Sequence, residues 1–326
     1  MNASSTSSPP DPPAPPNWIA VDWGTSNLRA WALDRGDQVL DERRADTGMG
    51  TLASHEFEPA LLALVDDWLP GAAATDVLCC GMVGARQGWH DAGYASTPHD
   101  GTGPPRHVDV PARDERLRVK ILAGVRQASP ADVMRGEETQ IAGFLRDRPG
   151  FDGTLCLPGT HTKWARIANG RLERFATCLT GELFALLSER SVLRHSLQDE
   201  GWDEARFVEA VHRTARHPES LLRSLFALRA EGLLEEIDSG VTRAGLSGSL
   251  LGAELAAVRD AWEGTGEGDI VVIGDSTLAA LHVRALAALG RRASARDGSD
   301  LALAGLIAAH RKIESSTPLT DQENAP

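Results

Sequence analysis

The chain has no run of 18 apolar residues, so no helical membrane span is expected. Its opening, MNASSTSSPPDPPAPPN, has neither a charged leader nor an apolar core, so it does not read as a signal peptide. Cysteine is scarce. Cys79, Cys80, Cys156 and Cys178 are the only four, and none stands in a CxxC pair or at Cys/His ligand spacing. Buried free thiols and a cytoplasmic location are expected, not a disulfide framework or a zinc cluster. Net positive charge is absent as well: a net charge of −13 argues against nucleic acid, whose phosphates demand a basic surface. Neither GxxxxGK followed by Ser or Thr nor GxGxxG occurs, which removes the main support for P-loop and Rossmann nucleotide binding.

What remains is an ordinary globular composition, 42% hydrophobic and 24% charged over 326 residues. That length suits two domains and a core that needs no disulfide or metal. Acidity does not exclude a nucleotide ligand, since such a site needs only local amides, a few cations and Mg²⁺. Proline density makes residues 1–17 read as an extended, disordered tail, and residues 314–326 as a second one.

Between the tails a theme occurs twice. WIAVDW (18–23) reads as a buried strand, followed by GTSN, then LRAWALD and QVLDERR as further strands about tight turns. A helix is expected near 56–69, with Phe57, Leu61, Leu64, Val65 and Trp68 at helical spacing. DVLCCG (76–81) reads as a strand, 91–111 as loop and LRVKILAGV (117–125) as a strand. A helix at 137–146 precedes the second copy: TLCLPG as a strand, then two strands about Asn169-Gly170. A broken helical region runs to Trp262, followed by the strand DIVVIG, the helix DSTLAALHVRALAALG and a last helix DLALAGLIAAHRKI. A Gly-Thr turn directly after a buried strand in both copies points to a duplicated domain.

The first turn carries the strongest chemical signal. Gly24, Thr25, Ser26 and Asn27 would expose backbone N–H groups and two hydroxyls to phosphate oxygens. Asp22, delivered by the strand before it, can hold Mg²⁺ directly or through water. Arg29 on the next strand could add positive charge. Gly159 and Thr160, with Lys163 three residues on, repeat this logic. Gly274 lets a ligand approach closely, and Ser276 or Asp275 can cap the following helix, an arrangement that suits the adenosine half of a nucleotide.

Asp-x-Gly-Thr-Ser in one hairpin, Gly-Thr in a second and a Gly-turn-helix near the C-terminus resemble the sugar kinase, heat-shock protein 70 and actin superfamily. Within it, CGMVGARQGW, DVMRGEETQIAGFL, LPGTHTKW, TCLTGELFALL, LSGSLLGAEL and IGDSTLAALHVRALAALG resemble the 2-dehydro-3-deoxygalactonokinase family, from Trp18 to about Ile313. The resemblance implies an α/β fold of two actin-like, ribonuclease H-like domains, 18–128 and 129–313, with ATP in a cleft between them. It implies Mg²⁺-dependent phosphorylation of 2-dehydro-3-deoxy-D-galactonate at its terminal hydroxyl, in D-galactonate breakdown. The expected partners are that small sugar acid and ATP, with a homodimer left open and neither nucleic acid nor membrane involved.

Roles follow from the same resemblance. In glycerol-kinase-like relatives an Asp after a Gly at a helix start serves as base, some two dozen residues before the second Gly-Thr turn. Here Gly136-Glu137 takes that place, 22 residues before Gly159 (159 − 137), and Glu138 beside it leaves the choice between the two open. The loop after DVLCCG offers Arg86, Gln87 and Trp89 to substrate. Arg86 and Arg135 can bind a carboxylate with paired hydrogen bonds, and His161, inside the second turn, can touch phosphate or substrate. The runner-up is a kinase of the same architecture for another acid or polyol. A non-catalytic actin-like switch is disfavoured, because the long extra subdomains of such proteins are missing.

Overall fold

The computed structural model describes residues 15–71, 73–100, 105–197, 201–235, 237–262 and 270–316. The expected tails therefore lie outside the described residues except at their inner ends, and there the expectation fails. Asn17 already donates its N–H to Leu33 O at 2.7 Å, and the last helix runs on to Ser316. The chain divides into two compact units, one of residues 1–91 and 107–122, the other of 92–106 and 123–326. This differs from a single boundary at 128, because Ala92–Arg106 returns to the second unit.

In the first unit, β1 (Trp18–Trp23) pairs antiparallel with β2 (Leu28–Leu33), and β2 with β3 (Val39–Ala45). α1 (Phe57–Val65) leads to β4 (Thr75–Gly81), which lies parallel to β1. The expected loop at 91–111 holds two strands instead: β5 (Tyr94–Ser96), which belongs to the second unit, and β6 (His107–Val110). β6 pairs with β7 (Leu117–Leu122), giving the sheet order β3-β2-β1-β4-β7-β6. The expected strand 117–125 breaks at Ala123; its remainder is β8 (Gly124–Gln127), which joins β5 and β9 (Asp132–Met134) in a small separate sheet. Gly124 allows that turn of direction, since a Cβ there would lie 2.5 Å from Met134 O.

The second unit repeats the plan. After α2 (Glu137–Asp147) come β10 (Gly153–Leu157), β11 (Thr162–Ala168) and β12 (Arg171–Cys178). Asn169 and Gly170, both at positive φ, make the tight turn between β11 and β12. The helical region comprises α3 (Thr180–Arg190), α4 (Glu204–Arg216), α5 (Leu221–Leu234), α6 (Ser239–Ala257) and α7 (Arg259–Trp262). β13 (Ile270–Gly274), α8 (Ser276–Ala288), β14 (Ser294–Asp297) and α9 (Gly298–Ser316) close the chain. The sheet order β12-β11-β10-β13-β14 matches β3-β2-β1-β4-β7, with the same parallel and antiparallel pairs. The expected duplication is thus present strand for strand, and both sheets are ribonuclease H-like.

Packing fixes where α2 begins. Its Gly143 lies against α9, where a Cβ would come within 2.1 Å of Leu301 O. Gly305 of α9 faces back, where a Cβ would come within 2.0 Å of Thr139 O. Two helices that touch backbone to backbone cannot slide apart to admit a methyl group without moving the first turn of α2. Gly305→Ala is accordingly expected to cost about 1–3 kcal/mol, read as a lower thermal midpoint. Gly71→Ala, where a Cβ meets nothing within 4 Å, is expected to leave the midpoint unchanged.

Candidate functional site

The first unit assembles the Asp22 end of β1. Asp22 is half-buried at the edge of the turn 24–27, which Gly24 N–H closes onto Asn27 O at 2.9 Å. Gly24 O and Thr25 O accept from Met49 N and Gly50 N, and Gly48 packs so tightly that a Cβ would lie 2.1 Å from Thr25 O. The turn is therefore held rigid from behind while Thr25, Ser26 and Asn27 face solvent. Gly81, at φ 92°, sits beside Trp23 in the β1–β4 register, and its missing Cβ leaves room 3.3 Å from Asp22 Oδ1. A carboxylate in such a cradle, which also accepts from Cys80 Sγ at 3.7 Å and stands next to two exposed hydroxyls, suits Mg²⁺, which takes one or two carboxylates and completes its shell with phosphate and water.

In the loop after β4, Arg86 and Gln87 are exposed, and Arg86 makes no ion pair among the described residues. Trp89 is instead engaged in packing, stacked on Phe57 at 6.4 Å and edge-on to Trp23 at 6.3 Å. Arg29 is likewise engaged, 3.8 Å from Glu42.

The second unit brings Arg135, Glu137, Glu138, Lys163, Gly159, Thr160 and His161 together. Gly136, at φ 105°, turns the chain into α2. The two acids then cap it: Glu137 Oε2 accepts from Arg135 N at 2.9 Å, and Glu138 Oε2 from Gly136 N at 2.7 Å. Lys163, buried on β11, places its Nζ 3.5 Å from Glu137 Oε1. Glu138 is half-buried as a residue, but protein surrounds its carboxyl. Desolvation, reinforced by the neighbouring Glu137 charge, pushes its pKa up to about 8. Arg135 is 7% exposed, lies over the Tyr94 ring at 4.5 Å and donates Nη2 to Gly93 O at 2.9 Å. Its Nε and Nη1 have no hydrogen-bond partner among the described residues, an unusual state for a buried guanidinium. His161 binds Glu182 Oε2 at 2.5 Å, and Glu182 N–H donates to Thr160 O at 2.9 Å, so α3 holds the Gly159–Thr160 turn in place.

A cavity of about 580 Å³ opens beside that turn. Gly159 and Thr160 line it, with Thr180 and Gly181 of α3, Arg243 and Ser247 of α6, Trp202, and Thr277 and Leu278 of α8. Gly274 and Ser276 are not among the lining residues. Gly274 packs on Pro158, Asp275 caps α8 by accepting from Thr277 N at 2.9 Å, and the next turn of α8 supplies the wall. One wall residue, His282, is buried and lies 3.3 Å from Glu254 Oε1, which also accepts from Trp164 Nε1 at 2.8 Å. Burial opposes the charge on both partners, but each favours the other's charge: His282 is raised and Glu254 lowered from their ordinary values, with the nearby Thr180 and Trp164 also favouring the Glu254 charge. Cys156 adjoins the pair, but burial pushes its thiol far above the ordinary range, so it stays protonated and packs as an apolar group.

The cavity walls from α3, α4's approach, α6 and α8 went unassigned in the sequence, although TCLTGELF and LSGSLLGAEL carried a signal. Gly248 and Gly252 of α6 stand where a Cβ would lie 2.4 and 2.6 Å from the carbonyls of Phe207 and Val211, and Gly181 where one would lie 2.2 Å from Gly159 O.

The family model described as 2-keto-3-deoxy-galactonokinase matches residues 22–309, from Asp22 itself into α9. The chain belongs to this kinase family. A Rhizobium meliloti protein named probable 2-dehydro-3-deoxygalactonokinase is 37% identical over 306 residues, 91% of this chain and 97% of that one. The 2-dehydro-3-deoxygalactonokinase of Escherichia coli is 31% identical over 296 residues, 89% of this chain and 96% of that one. A solved structure from Sinorhizobium meliloti, titled as the same kinase, superposes with a TM-score of 0.81 at 37% identity, covering 91% of this chain and 99% of that one. At 14% identity, the activator of 2-hydroxyisocaproyl-CoA dehydratase from Clostridium difficile, solved with ADPNP, shares the fold with a TM-score of 0.53, covering 94% of this chain and 99% of that one.

The raised Glu138 sets a pH dependence within this galactonokinase-family fold. The folded chain keeps a proton that the unfolded chain, with a carboxyl near 4.5, releases. Stability from this group is full below about 4.5 and is lost as pH rises toward about 8, with a slope of at most about 1.4 kcal/mol per pH unit. Glu138→Gln is expected to flatten that slope in denaturant titrations from pH 5 to pH 8, so that the variant gains on the parent as pH rises.

Proposed function

We propose that the protein transfers the γ-phosphate of ATP to the terminal hydroxyl of 2-dehydro-3-deoxy-D-galactonate, giving ADP and the 6-phosphate, in the cytoplasm. Beyond family membership, the observation that carries this reading is the Arg135–Glu137–Lys163 group: a carboxylate at a helix start, oriented by an ammonium, two residues from a buried cation with free donors.

The chemistry needs positioning and charge more than covalent help. The substrate hydroxyl attacks phosphorus, its proton passes to Glu137, and the bond to the ADP oxygen breaks. Glu137 is preferred to Glu138 because a carboxyl that still holds its proton at neutral pH accepts none. Backbone N–H of Arg135 and the Lys163 ammonium fix the orientation of Glu137. Thr25, Ser26 and Thr160 offer hydroxyls to phosphate oxygens. Asp22 would hold Mg²⁺, which neutralises phosphate charge when bound. The cavity, with Leu250, Leu251 and Leu281 on its walls and Thr180 and Ser247 as polar points, suits a nucleoside. Arg135, whose Nε and Nη1 are buried without hydrogen-bond partners among the described residues, is the second unit's candidate for the substrate carboxylate, and the exposed Arg86 is the first unit's.

Glu137→Gln is expected to lower kcat about 10²–10⁴-fold while ADP binding by calorimetry stays unchanged; undiminished turnover would remove Glu137 from the base role. For the substrate, ADP release should be measured with the galacto and gluco epimers of the keto-acid and with the matching polyols. A preference for the galacto acid, and a KM for that acid raised at least tenfold in Arg135→Met with a smaller change for ATP, are the expected results. Equal rates with a polyol would overturn the acid assignment.

A further inference from the structure

α5 has the composition of a buried helix and the surroundings of a surface one. Its sequence, LLRSLFALRAEGLL, is apolar around most of its circumference, yet Leu228 is its only fully buried residue. Leu221 and Leu225 pack with Leu228 on a small core that includes Leu246 and Leu250 of α6. The opposite face holds Leu222, Phe226, Ala227, Ala230, Leu233 and Leu234, interrupted only by Arg223. Leu222 is 82% exposed, Phe226 66%, Leu233 64% and Leu234 85%. A helix apolar on both sides normally has partners on both sides.

We infer that this face pairs with the same face of a second copy of the chain, two α5 helices lying antiparallel across a two-fold axis near residue 229. Two observations select a second copy. The first is size. The four large side chains expose roughly 500 Å² per copy, at the upper end for a lone monomer. Doubled across a two-fold axis, this reaches about 1,000 Å², the scale of a specific interface. The second is charge. Arg223 and Glu235 flank the stripe at its two ends, both exposed and, among the described residues, neither in an ion pair. Their midpoint is residue 229 ((223 + 235)/2), so an axis there sets each Arg223 against Glu235 of the other copy. The same axis brings Phe226 opposite Gly232 and within one residue of Leu233 of the second copy, with the small Ala227 and Ala230 at the crossing where the helices come closest. A self-complementary patch of this kind is what a closed, isologous dimer requires. None of these residues lines the cavity or adjoins Glu137, so the inference stands apart from the kinase reading.

Sedimentation equilibrium of the full chain over about 1–100 μM is the test, with circular dichroism melts to confirm folding. The parent is expected to sediment at twice the chain mass, and Leu222→Glu/Phe226→Glu at one chain mass with an unchanged melt and unchanged turnover. Arg223→Glu is expected to weaken the dimer about tenfold, and Arg223→Glu/Glu235→Arg to restore it. A parent that stays at one chain mass at 100 μM overturns the inference. So does a dimer indifferent to the Leu222/Phe226 changes, which would be built elsewhere. Failure of the charge reversal to restore the dimer overturns the antiparallel register.

Discussion

The contact between Lys163 and Glu137 organises the second unit's chemistry. A buried ammonium is costly unless a carboxylate answers it, and Glu137 stands 3.5 Å away because three separate devices put it there. Gly136 turns the chain at positive φ into α2, the backbone of Arg135 holds one carboxylate oxygen, and the glycine contact between α2 and α9 fixes the height of the first helical turn. Loosen any of the three and the ammonium is left without its counter-charge. The arrangement also separates two adjacent acids. Glu137 keeps an ammonium beside it, and its charge helps keep the enclosed Glu138 protonated. One sequence pair, EE, thus becomes two chemically different groups through placement alone.

The duplicated sheet explains why a buried strand ending in a braced Gly-Thr turn arises twice. In both units the first strand runs between an antiparallel and a parallel neighbour, so it is buried on both sides and ends in a tight turn into the next strand. The first turn is braced from behind by Gly48 and the second by Gly181. Different parts of the chain, a coil segment in one case and a helix start in the other, have converged on the same support. A turn whose backbone is held on one face presents its hydroxyls and N–H groups on the other with little freedom to lose on binding.

Elements with a strong local signature were legible in the sequence. WIAVDW, DVLCCG, the Asn169-Gly170 hairpin and the helix beginning at Glu137 stand where periodicity and turn chemistry put them. The failures have a common cause. β5, β6, β8 and β14 are strands of three or four residues, stabilised by pairing with other strands rather than by their own composition, which local sequence does not report. The 117–125 run looked continuous because its apolar pattern passes through Ala123 without interruption, whereas the backbone changes sheets there. For the candidate site, residues carried on turns could be named from the sequence alone. The walls of the cavity were not, because Thr180, Arg243, Ser247 and Leu278 belong to helices whose packing decides which face looks inward. Gly274 and Ser276 stand on the strand-turn-helix where the sequence places it, and the α8 wall of the cavity begins at Thr277.

The Glu254–His282 pair suggests why the cavity can be both apolar and firm. An apolar wall alone is held by contacts that repack readily. Here α8 is tied to α6 by a buried ion pair, and Glu254 is tied to β11 through Trp164. Three elements that border or underlie the cavity therefore meet at one side chain. Burying a charge there has a desolvation cost, which a hydrophobic replacement of similar volume would avoid. What that replacement would lose is direction, because the Trp164 hydrogen bond and the His282 contact fix where β11 and α8 stand against α6. For a cavity bordered by the Gly159–Thr160 turn, whose geometry it shares, fixed orientation is the more demanding requirement.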